Sequence, residues 1–528
     1  MGRLPICPTI IAIICAGAAF AQSTPVIVIS VDTLRADRLS HGANITSLGT
    51  GGTVFSQVDC QTPLTLPSHW SMMTSTYPFE NRIEENGERV PAGAVTLASV
   101  LRARGYKTAA FIGSVFLDRR MGFDQGFDFF DSPFQGATQR RDGALVMRSA
   151  RQWLSENRSQ PLFAFVHLYD MHKPYPVSYD AQLQYVDRLI GGFKESLVQM
   201  GLWDRALVVL VSDHGEGLGD HGEDSHGYFV YESTLNVPVI FHWPAGAVGH
   251  AARVDEPGGL IDVAPTILDF LQVPRLASFE GTSLLGTGLL GEHRGVFAES
   301  VHARDAFGWA ALRSFRVGAF KYIEAPKPEL YDLLTDPAEL KNLYLKGSAK
   351  AVDLRGQLVK LMAEFAPRGP AAAQQISPGT RALLDSLGYL APGPVAPVGG
   401  SGVDPKDRLA EFRLYEDAWV QIYYHRLDAG IVKLRQLLAG DPGNLLARRD
   451  LGNAYADKKD YALARTAYAL VLAAAPDDYV AQYGIGVADE RLGLLKEARE
   501  HLEVACRIEP ESVEARRELD LVLGKQAG

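Results

Sequence analysis

Acidic and imidazole side chains follow three short apolar runs of the sequence. Asp32 comes just after VIVIS, Asp213 and His214 directly follow LVVLVS, and Asp170 and His172 follow FAFVHL. Carboxylates and neutral imidazoles are good ligands for zinc or manganese. If the three runs end side by side, their polar residues form a plausible site for a divalent cation.

Each of these residues alone has a simpler explanation. A single Asp after a strand is more often the N-cap of the next helix, and a single His is usually an ordinary loop residue. Several strand ends that each supply Asp or His are hard to explain by structure alone, so we favour the metal site. His226, in DHGEGLGDHGEDSHG, adds a further imidazole twelve residues after His214.

Buried strands are predicted by five apolar runs rich in Val and Ile. The runs are VIVIS (26–30), AAFI (109–112), FAFVHL (163–168), LVVLVS (207–212) and VPVIFH (237–242). Helical patterns between them indicate an α/β fold with a mainly parallel sheet covered on both faces. Ligand sites in such sheets form at the carboxyl ends of the strands, where the Asp and His residues lie.

The N-terminus resembles a secretory signal peptide. Arg3 precedes an apolar run, 6–20, and Ala19-Phe20-Ala21 provides a small-x-small cleavage site before Gln22. The alternative is a retained membrane anchor, for which this run is short. We therefore expect a periplasmic or secreted protein. The net charge of −10 and the lack of a Lys/Arg run argue against nucleic acid or an anionic membrane as a partner.

The C-terminal part of the chain repeats with a period of 34 residues. Pro442, Pro476 and Pro510 are spaced by this interval, as are Gly452 and Gly486. The pattern resembles the tetratricopeptide repeat, with two good copies and a degenerate one before Pro442. This resemblance implies an all-α domain with a groove for a peptide or protein partner.

Composition divides the chain into four predicted segments. Between the α/β and helical patterns lie two stretches rich in Pro, Gly and Ala, APRGPAAAQQISPG and APGPVAPVGGSG, which are typical of linkers. The segments are a signal peptide (1–21), a catalytic domain (22–345), a linker with short helices (346–403) and a repeat domain (404–528).

Motifs in the predicted catalytic domain resemble the sulfatase-like members of the alkaline phosphatase superfamily. ISVDTLRADRLS, VHLYDMHKPYP, YDAQLQYVDRLIG, VSDHGEGLGDHG and LYDLLTDPAELKNL occur in the family's order across roughly residues 25–345. The resemblance implies an alkaline-phosphatase/sulfatase-like sandwich around the mainly parallel sheet. It also implies that Asp32, Asp213 and His214 bind a divalent metal that touches the nucleophile, with zinc favoured over manganese or calcium.

Thr65, in TPLTLPSHW, occupies the position of the nucleophile. Formylglycine sulfatases have Cys or Ser, any residue, then Pro-Ser-Arg, where this chain has 65–69, TLPSH. Threonine cannot be oxidised to the aldehyde, so no formylglycine is expected. Threonine holds this position in the nucleotide pyrophosphatase/phosphodiesterase and phosphoethanolamine transferase branches. A cation could activate its hydroxyl, and a helix predicted to begin at about Ser68 would present N–H groups to an anion.

The same resemblance suggests roles for residues around the nucleophile. His172 and His226 would serve a second metal or hold the phosphoryl oxygens, and Asp170 is a weaker candidate for that site. Lys173 would contact an anionic substrate, although an exposed loop lysine is the alternative. His69 replaces the arginine that would pair with the nucleophile and the anion.

One further departure concerns the first motif, where many sulfatases have two adjacent Asp residues and this chain has Asp32-Thr33. One metal ligand is therefore missing. Together with His69, this weakens the case for a formylglycine sulfatase.

The sequence thus predicts a metal-dependent hydrolase, or transferase, of phosphate-type esters that works through a covalent Thr65 intermediate. A sulfuric ester hydrolase working without formylglycine is the first alternative. A non-catalytic binding protein acting through its repeats is the second. We expect the repeats to bind a partner or to mediate self-association, with shaping of the active-site mouth as a further option.

Overall fold

The computed structural model describes residues 24–134, 140–247, 250–285, 295–367, 402–510 and 512–527. The predicted signal peptide and most of the predicted linker lie outside these residues. Within the described part of the chain, no helix is long and apolar enough to cross a membrane.

A nine-stranded sheet forms the centre of the α/β part. Its strands are β1 (Val26–Val31), β2 (Thr53–Asp59), β3 (Lys107–Phe111), β4 (Phe129–Asp131), β5 (Leu162–Leu168), β6 (Leu207–Val211), β7 (Asn236–His242), β8 (Arg253–Val254) and β9 (Gly258–Gly259). The spatial order is β4-β3-β5-β1-β6-β7-β2-β8, with β9 also paired to β2. β1 runs parallel to β5 and β6, whereas β7 is antiparallel to β6 and β2. The predicted mainly parallel sheet is confirmed, and all five predicted strands are present.

Helices cover both faces of this sheet. They are α1 (Ala43–Ser47), α2 (Thr65–Thr74), α3 (Pro78–Asn81), α4 (Leu97–Ala103), α5 (Gly143–Asn157), α6 (Tyr179–Gln199), α7 (Glu232–Leu235), α8 (Val263–Phe270) and α9 (His302–Phe307). Along β1, Val26 and Val28 belong to one core, with α2 and α8, while Ile27 and Ile29 belong to the other, with α5 and α6. Successive side chains of a strand point to opposite faces, which explains why this strand is continuously apolar.

A smaller antiparallel sheet follows, made of β10 (Gly295–Ser300), β11 (Leu312–Val317), β12 (Phe320–Glu324) and β13 (Glu329–Asp332). Helix α10 (Ala349–Glu364) packs on it through the fully buried Leu354 and Leu358. The folded α/β part therefore continues past residue 345, where the sequence analysis had placed the start of a linker. The helix belongs to this part because its apolar side chains complete the core of the second sheet.

Seven helices form the C-terminal part. They are α11 (Leu409–Tyr423), α12 (Leu427–Gly440), α13 (Leu445–Asp457), α14 (Tyr461–Ala474), α15 (Tyr479–Arg491), α16 (Leu495–Ile508) and α17 (Val513–Ala527). The pairs α13/α14 and α15/α16 begin 34 residues apart. A side chain at Gly452 would lie 2.6 Å from the Tyr468 ring, and one at Gly486 would lie 2.7 Å from Leu502. The repeated glycines thus permit close helix packing, consistent with a helical repeat domain.

Six short 3-10 helices complete the secondary structure of the described residues. They cover Ala36–His41, Val115–Leu117, Arg119–Met121, Asp220–Gly222, Leu260–Asp262 and Pro405–Arg408.

Candidate active site

Three of the predicted metal ligands meet at the carboxyl ends of neighbouring strands. Asp32 follows β1, and Asp213 and His214 follow β6, which pairs with β1 in parallel. One potential ligand atom from each residue lies within 4.8 Å of the others, and all three residues are fully buried. The strand-end rule therefore brings together the residues that the sequence analysis selected.

These three residues hold polar atoms that no neighbour satisfies. Asp32 Oδ1, Asp213 Oδ2 and His214 Nε2 are buried and have no hydrogen-bond partner among the described residues. His214 Nδ1 contacts the Gly215 carbonyl at 3.0 Å, and because a carbonyl can only accept, Nδ1 carries the proton and Nε2 the lone pair. Two carboxyl groups and a bare imidazole nitrogen are a donor set that fits a divalent cation.

The electrostatics of the cluster agree with this fit. Burial raises the pKa of Asp32 to about 6, and burial together with the charge of Asp32 raises the pKa of Asp213. Two carboxylates in a dry environment repel one another, and each favours the protonated form. A bound cation reverses that preference, so the cluster is unfavourable by itself and favourable as a metal site.

Thr65 lies next to this cluster. Its hydroxyl donates to Asp32 Oδ2 at 3.3 Å. Helix α2 begins at Thr65, three residues before the predicted start at Ser68, because Leu64 is extended and Pro67 occupies the third helical position. Proline is tolerated in a first turn, where its missing N–H has no intrahelical partner. The hydroxyl therefore stands at the helix N-terminus itself.

His69 is held inside the protein by both of its ring nitrogens. Nδ1 donates to the Thr65 carbonyl at 2.7 Å, and Nε2 accepts from Ser30 Oγ at 2.8 Å. Burial lowers the pKa of His69 to about 3, so the ring is neutral. It cannot supply the positive charge of the arginine that it replaces, and its contacts instead fix the first turn of α2.

His167 is a residue of the cluster that the sequence analysis missed. It lies on β5 with Nε2 3.7 Å from Asp32 Oδ2, and neither ring nitrogen has a hydrogen-bond partner in the described structure. With His69 and Asp213 it forms a second set of closely spaced potential ligand atoms. Burial lowers its pKa to about 4. The signal was available, because His167 is the single polar residue in the run FAFVHL.

A second imidazole group adjoins the cluster. The ring of His226 lies 4.2 Å from that of His214 and 5.0 Å from that of His172. His226 Nδ1 donates to Glu216 Oε1 at 3.1 Å, which leaves Nε2 to face other groups. Glu216 was also missed, although it stands in the motif DHGEG. Burial would raise its pKa, but contacts with His226 and Tyr175 outweigh burial and hold the pKa below its usual value.

The remaining predicted residues have different surroundings. Asp170 Oδ1 accepts from the backbone N–H of Gly143 at 3.0 Å, at the start of α5, and Asp170 does not join either group of closely spaced ligand atoms. The Thr33 hydroxyl donates to the Met171 carbonyl, so it does not replace the missing second Asp. Lys173 lines a pocket together with His172 and His226.

Comparisons with known proteins agree with this architecture. Residues 25–273 match the Sulfatase family, and residues 219–366 match the family described as N-sulphoglucosamine sulphohydrolase, C-terminal. The chain is 30% identical over 171 residues to an arylsulfatase of Clostridium perfringens, a stretch covering 31% of this chain and 35% of the relative. It is 30% identical over 177 residues to the multifunctional alkaline phosphatase superfamily protein PehA of Trinickia caryophylli, covering 30% of this chain and 34% of the relative.

A similar solved structure is that of the phosphonate monoester hydrolase of Agrobacterium radiobacter. The TM-score is 0.55 at 20% identity, with 65% of this chain and 96% of that one covered. The matched stretches span about a third of the length of the two curated relatives. Residues 25–366 therefore form a sulfatase-like α/β domain, joined to a C-terminal helical part.

Proposed function

We propose that this protein is a metal-dependent hydrolase of phosphate-type esters in which Thr65 is the nucleophile. The observation that carries the proposal is the contact of the Thr65 hydroxyl with Asp32, beside three buried polar atoms that lack a partner. Each group is weak evidence alone. Together they combine a nucleophile, an acceptor for its proton and a donor set for a cation.

Asp32, Asp213 and His214 would hold the cation, with zinc favoured over manganese or calcium. When bound, such an ion lowers the pKa of a neighbouring hydroxyl and neutralises charge on a transferring group. Thr65 Oγ1 attacks phosphorus while its proton passes toward Asp32 Oδ2, which the hydroxyl already contacts. The O–P bond forms as the bond to the leaving oxygen breaks, and this oxygen takes a proton from solvent and departs as an alcohol. Water, or another acceptor in a transferase, then attacks phosphorus and breaks the bond to Thr65 Oγ1, which regains its proton from Asp32.

The surroundings of Thr65 suit an anionic group. The helix dipole is positive at this end of α2. The dipole is the main contribution of the helix, because Leu66 N–H already donates to Asn86 Oδ1 at 2.8 Å, Ser68 N–H donates to the Leu64 carbonyl and Pro67 has no N–H. We assign His172, His226 and Lys173 to the oxygens of the transferring group or to a second metal. Asp170 is left out of this set because it accepts from the start of α5.

Sulfate esters are the second candidate substrate. The match of residues 25–273 to the Sulfatase family favours this reading. A sulfatase of this kind would use the unmodified Thr65, because threonine cannot become formylglycine. The anion geometry is the same in both cases, so a direct comparison of substrates is needed.

The test is a hydrolysis panel on residues 22–528. It compares nitrophenyl phosphate, a phosphate diester, a phosphonate ester and nitrophenyl sulfate, each with zinc, manganese or calcium. Thr65→Ala should abolish turnover while metal content, measured by mass spectrometry, stays close to that of the wild type. Thr65→Ser, which keeps a hydroxyl, is the matched control and should retain substantial activity.

Four outcomes are informative. Phosphorus-ester turnover lost in Thr65→Ala supports the proposal, whereas dominant sulfate turnover supports the second candidate. Full activity in Thr65→Ala would exclude the covalent mechanism. A chain that takes up none of the three metals and turns over no ester would favour a binding protein acting through its repeats.

We further propose a periplasmic or secreted location, and a peptide or protein partner for the C-terminal repeats. Both rest on the sequence patterns. The partner would be sought by pull-down with the mature chain.

A further inference from the structure

Helix α11, the first helix of the C-terminal part, packs directly on the loop that carries His226. The ring of Phe412 lies 3.5 Å from that of Tyr228, and Phe412 is buried in the same core as residues of the central sheet. Arg413 Nε donates to the Gly222 carbonyl at 2.9 Å. The helix is therefore an integral neighbour of the candidate active site.

A pocket lies between α11 and the imidazole group of the site. The sulfatase-like domain contributes His172, Lys173, His226 and Tyr228 to its lining, and α11 contributes Glu416 and Trp419. Glu416 and Trp419 are three residues apart, so they lie on the same face of the helix. His226 joins this pocket to the metal cluster, because its ring lies 4.2 Å from that of His214.

Four polar atoms of the pocket lining are buried without a partner in the described structure. They are His226 Nε2, Tyr228 Oη, Glu416 Oε2 and Trp419 Nε1. Buried polar groups are nearly always hydrogen-bonded in native proteins, and each unsatisfied one is costly. Two of the four come from each side of the pocket, so a ligand that satisfies them would touch both domains.

The two groups on α11 specify the chemistry of that ligand. A carboxylate oxygen is an acceptor, and the indole N–H of Trp419 is a donor only. An ammonium group would satisfy Glu416 but not Trp419. A second anionic group would satisfy Trp419 but, above about pH 7 where the Glu416 carboxyl is ionised, would be repelled by Glu416. A hydroxyl group donates to the first and accepts from the second. The aromatic rings of Phe412 and Tyr228 supply an apolar surface beside it.

We propose that Glu416 and Trp419 bind the alcohol part of the ester substrate, and that this part carries a hydroxyl group near the ester oxygen. The inference deepens the proposed function and rests on it for the position of the transferring group. It makes the first helix of the repeat part a specificity element of the active site. Tyr228 and His226 line the same pocket on the side of the transferring group.

The test compares esters that differ only in hydroxyl groups: glycerol 1-phosphate with propyl phosphate, and glycerol 1-sulfate with propyl sulfate. The affinity for each ester is measured by calorimetry on the full chain carrying Thr65→Ala, because this variant should not hydrolyse the ester during the measurement. We expect the glycerol ester of the preferred anion to bind about tenfold more tightly than the propyl ester, since an analogue without the hydroxyl leaves buried groups unpaired.

Two variants locate the effect. Trp419→Phe removes the indole N–H and keeps an aromatic ring, and Glu416→Met removes the acceptor at similar side-chain size. In each variant the affinities for the glycerol ester and the propyl ester should differ by no more than about threefold. Asp417→Asn, on the same helix but paired with Lys433 at the surface, is the matched control and should leave the ratio unchanged.

An equal affinity for both esters in the parent chain, or a glycerol preference that survives in both pocket variants, overturns the proposal. The same measurements distinguish it from the proposed function. If the wild-type chain hydrolyses no ester but the Trp419-dependent binding preference is present, the binding site stands and the catalytic proposal fails. If nitrophenyl esters are hydrolysed but the glycerol ester is not preferred, the catalytic proposal stands and the binding site fails.

Discussion

Two clusters of buried charged residues lie in the sulfatase-like domain, and they are built in opposite ways. Around Lys321 the charges are paired: Nζ lies 2.8 Å from Glu232 and 2.9 Å from Glu339, and the lysine is fully buried. Around Asp32 and Asp213 the charges are alike, and the atoms that face one another lack partners. The first cluster is complete within the protein, whereas the second requires a group from outside.

The pKa values follow this division at Glu232 but not at every carboxyl of the paired cluster, since burial raises the pKa of Glu339 to about 7 although it contacts Lys321. Contacts with Lys321 and Arg316 hold the pKa of Glu232 below its usual value in spite of burial. Burial raises the pKa of Asp32 to about 6, because no cation of the protein stands beside it. Burial of charge is therefore not in itself a sign of function. A buried carboxyl without a compensating partner is informative when other potential ligand atoms lie beside it, as at Asp32 and Asp213; Asp170 Oδ2 also lacks a partner in the described structure but stands outside both groups of ligand atoms.

The largest expected effect is on activity, from Asp213→Asn. Removing a direct ligand should lower kcat/KM about a thousandfold or more, since even the residues that support metal ligands contribute 10–100-fold. The free energy of unfolding of the metal-free protein should stay the same or rise, because a buried like-charge repulsion is removed. Kinetics, metal analysis and chemical denaturation together measure these changes.

Asp170→Asn is the matched control for this prediction. Asp170 also follows a strand of the same sheet, yet it accepts from the first N–H of α5. Its replacement should leave metal content and kcat/KM within about threefold of the wild type. If Asp170→Asn loses metal as Asp213→Asn does, the site is larger than the structure indicates and the comparison fails.

The paired cluster should respond in the opposite way. Lys321→Met leaves Glu339 buried without its cation and leaves Glu232 with only Arg316, and breaking a buried pair costs about 3–5 kcal/mol of stability. Activity per folded molecule should be unchanged. Lys327→Met, at an exposed lysine paired with Asp407, is the control and should leave the free energy of unfolding close to that of the wild type. Equal denaturation curves for the two variants would contradict this prediction.

The strands and the metal cluster could be predicted because both depend on short-range patterns. Apolar runs in the sequence correspond to strands, and parallel strands bring their carboxyl ends together, so Asp32, Asp213 and His214 were expected at one edge together with Asp170 and His172. The resemblance to sulfatase-like proteins then selected the first three as metal ligands. The start of α2 was predicted at about Ser68, just after Pro67, three residues later than in the structure. In the structure Pro67 occupies the first turn, where a proline costs little.

The residues that escaped prediction depend on packing between distant segments. His167 and Glu216 acquire their roles from neighbours on other strands and loops. Glu416 and Trp419 lie almost two hundred residues after His226 and meet it only because α11 packs on Tyr228. No periodicity or spacing in the sequence determines that arrangement. The predicted role of the repeats was therefore limited to partner binding, self-association or shaping of the active-site mouth.

The smallest expected effect concerns Glu416, at the junction of the two domains, whose carboxyl has a hydrogen bond with Ser225 but whose Oε2 lacks a partner in the described structure. Burial raises the pKa of Glu416 from 4.5 to about 7. The positive charge of Lys173 opposes this rise, whereas the negative charges of Glu216 and Asp224 add to it. Since folding favours the protonated form, the stabilising contribution of protonated Glu416 is fully present below about pH 4.5 and is lost as the pH rises from there to about 7. The free energy of unfolding of Glu416→Gln should therefore match that of the wild type at pH 4.5 and exceed it by about 2 kcal/mol at pH 8, after allowance for partial exposure.

Denaturant unfolding at several pH values measures this difference. Asp417→Asn, exposed on the same helix, should show no such difference. A difference that is constant with pH would mean that Glu416 titrates normally and that α11 does not close over the pocket in solution.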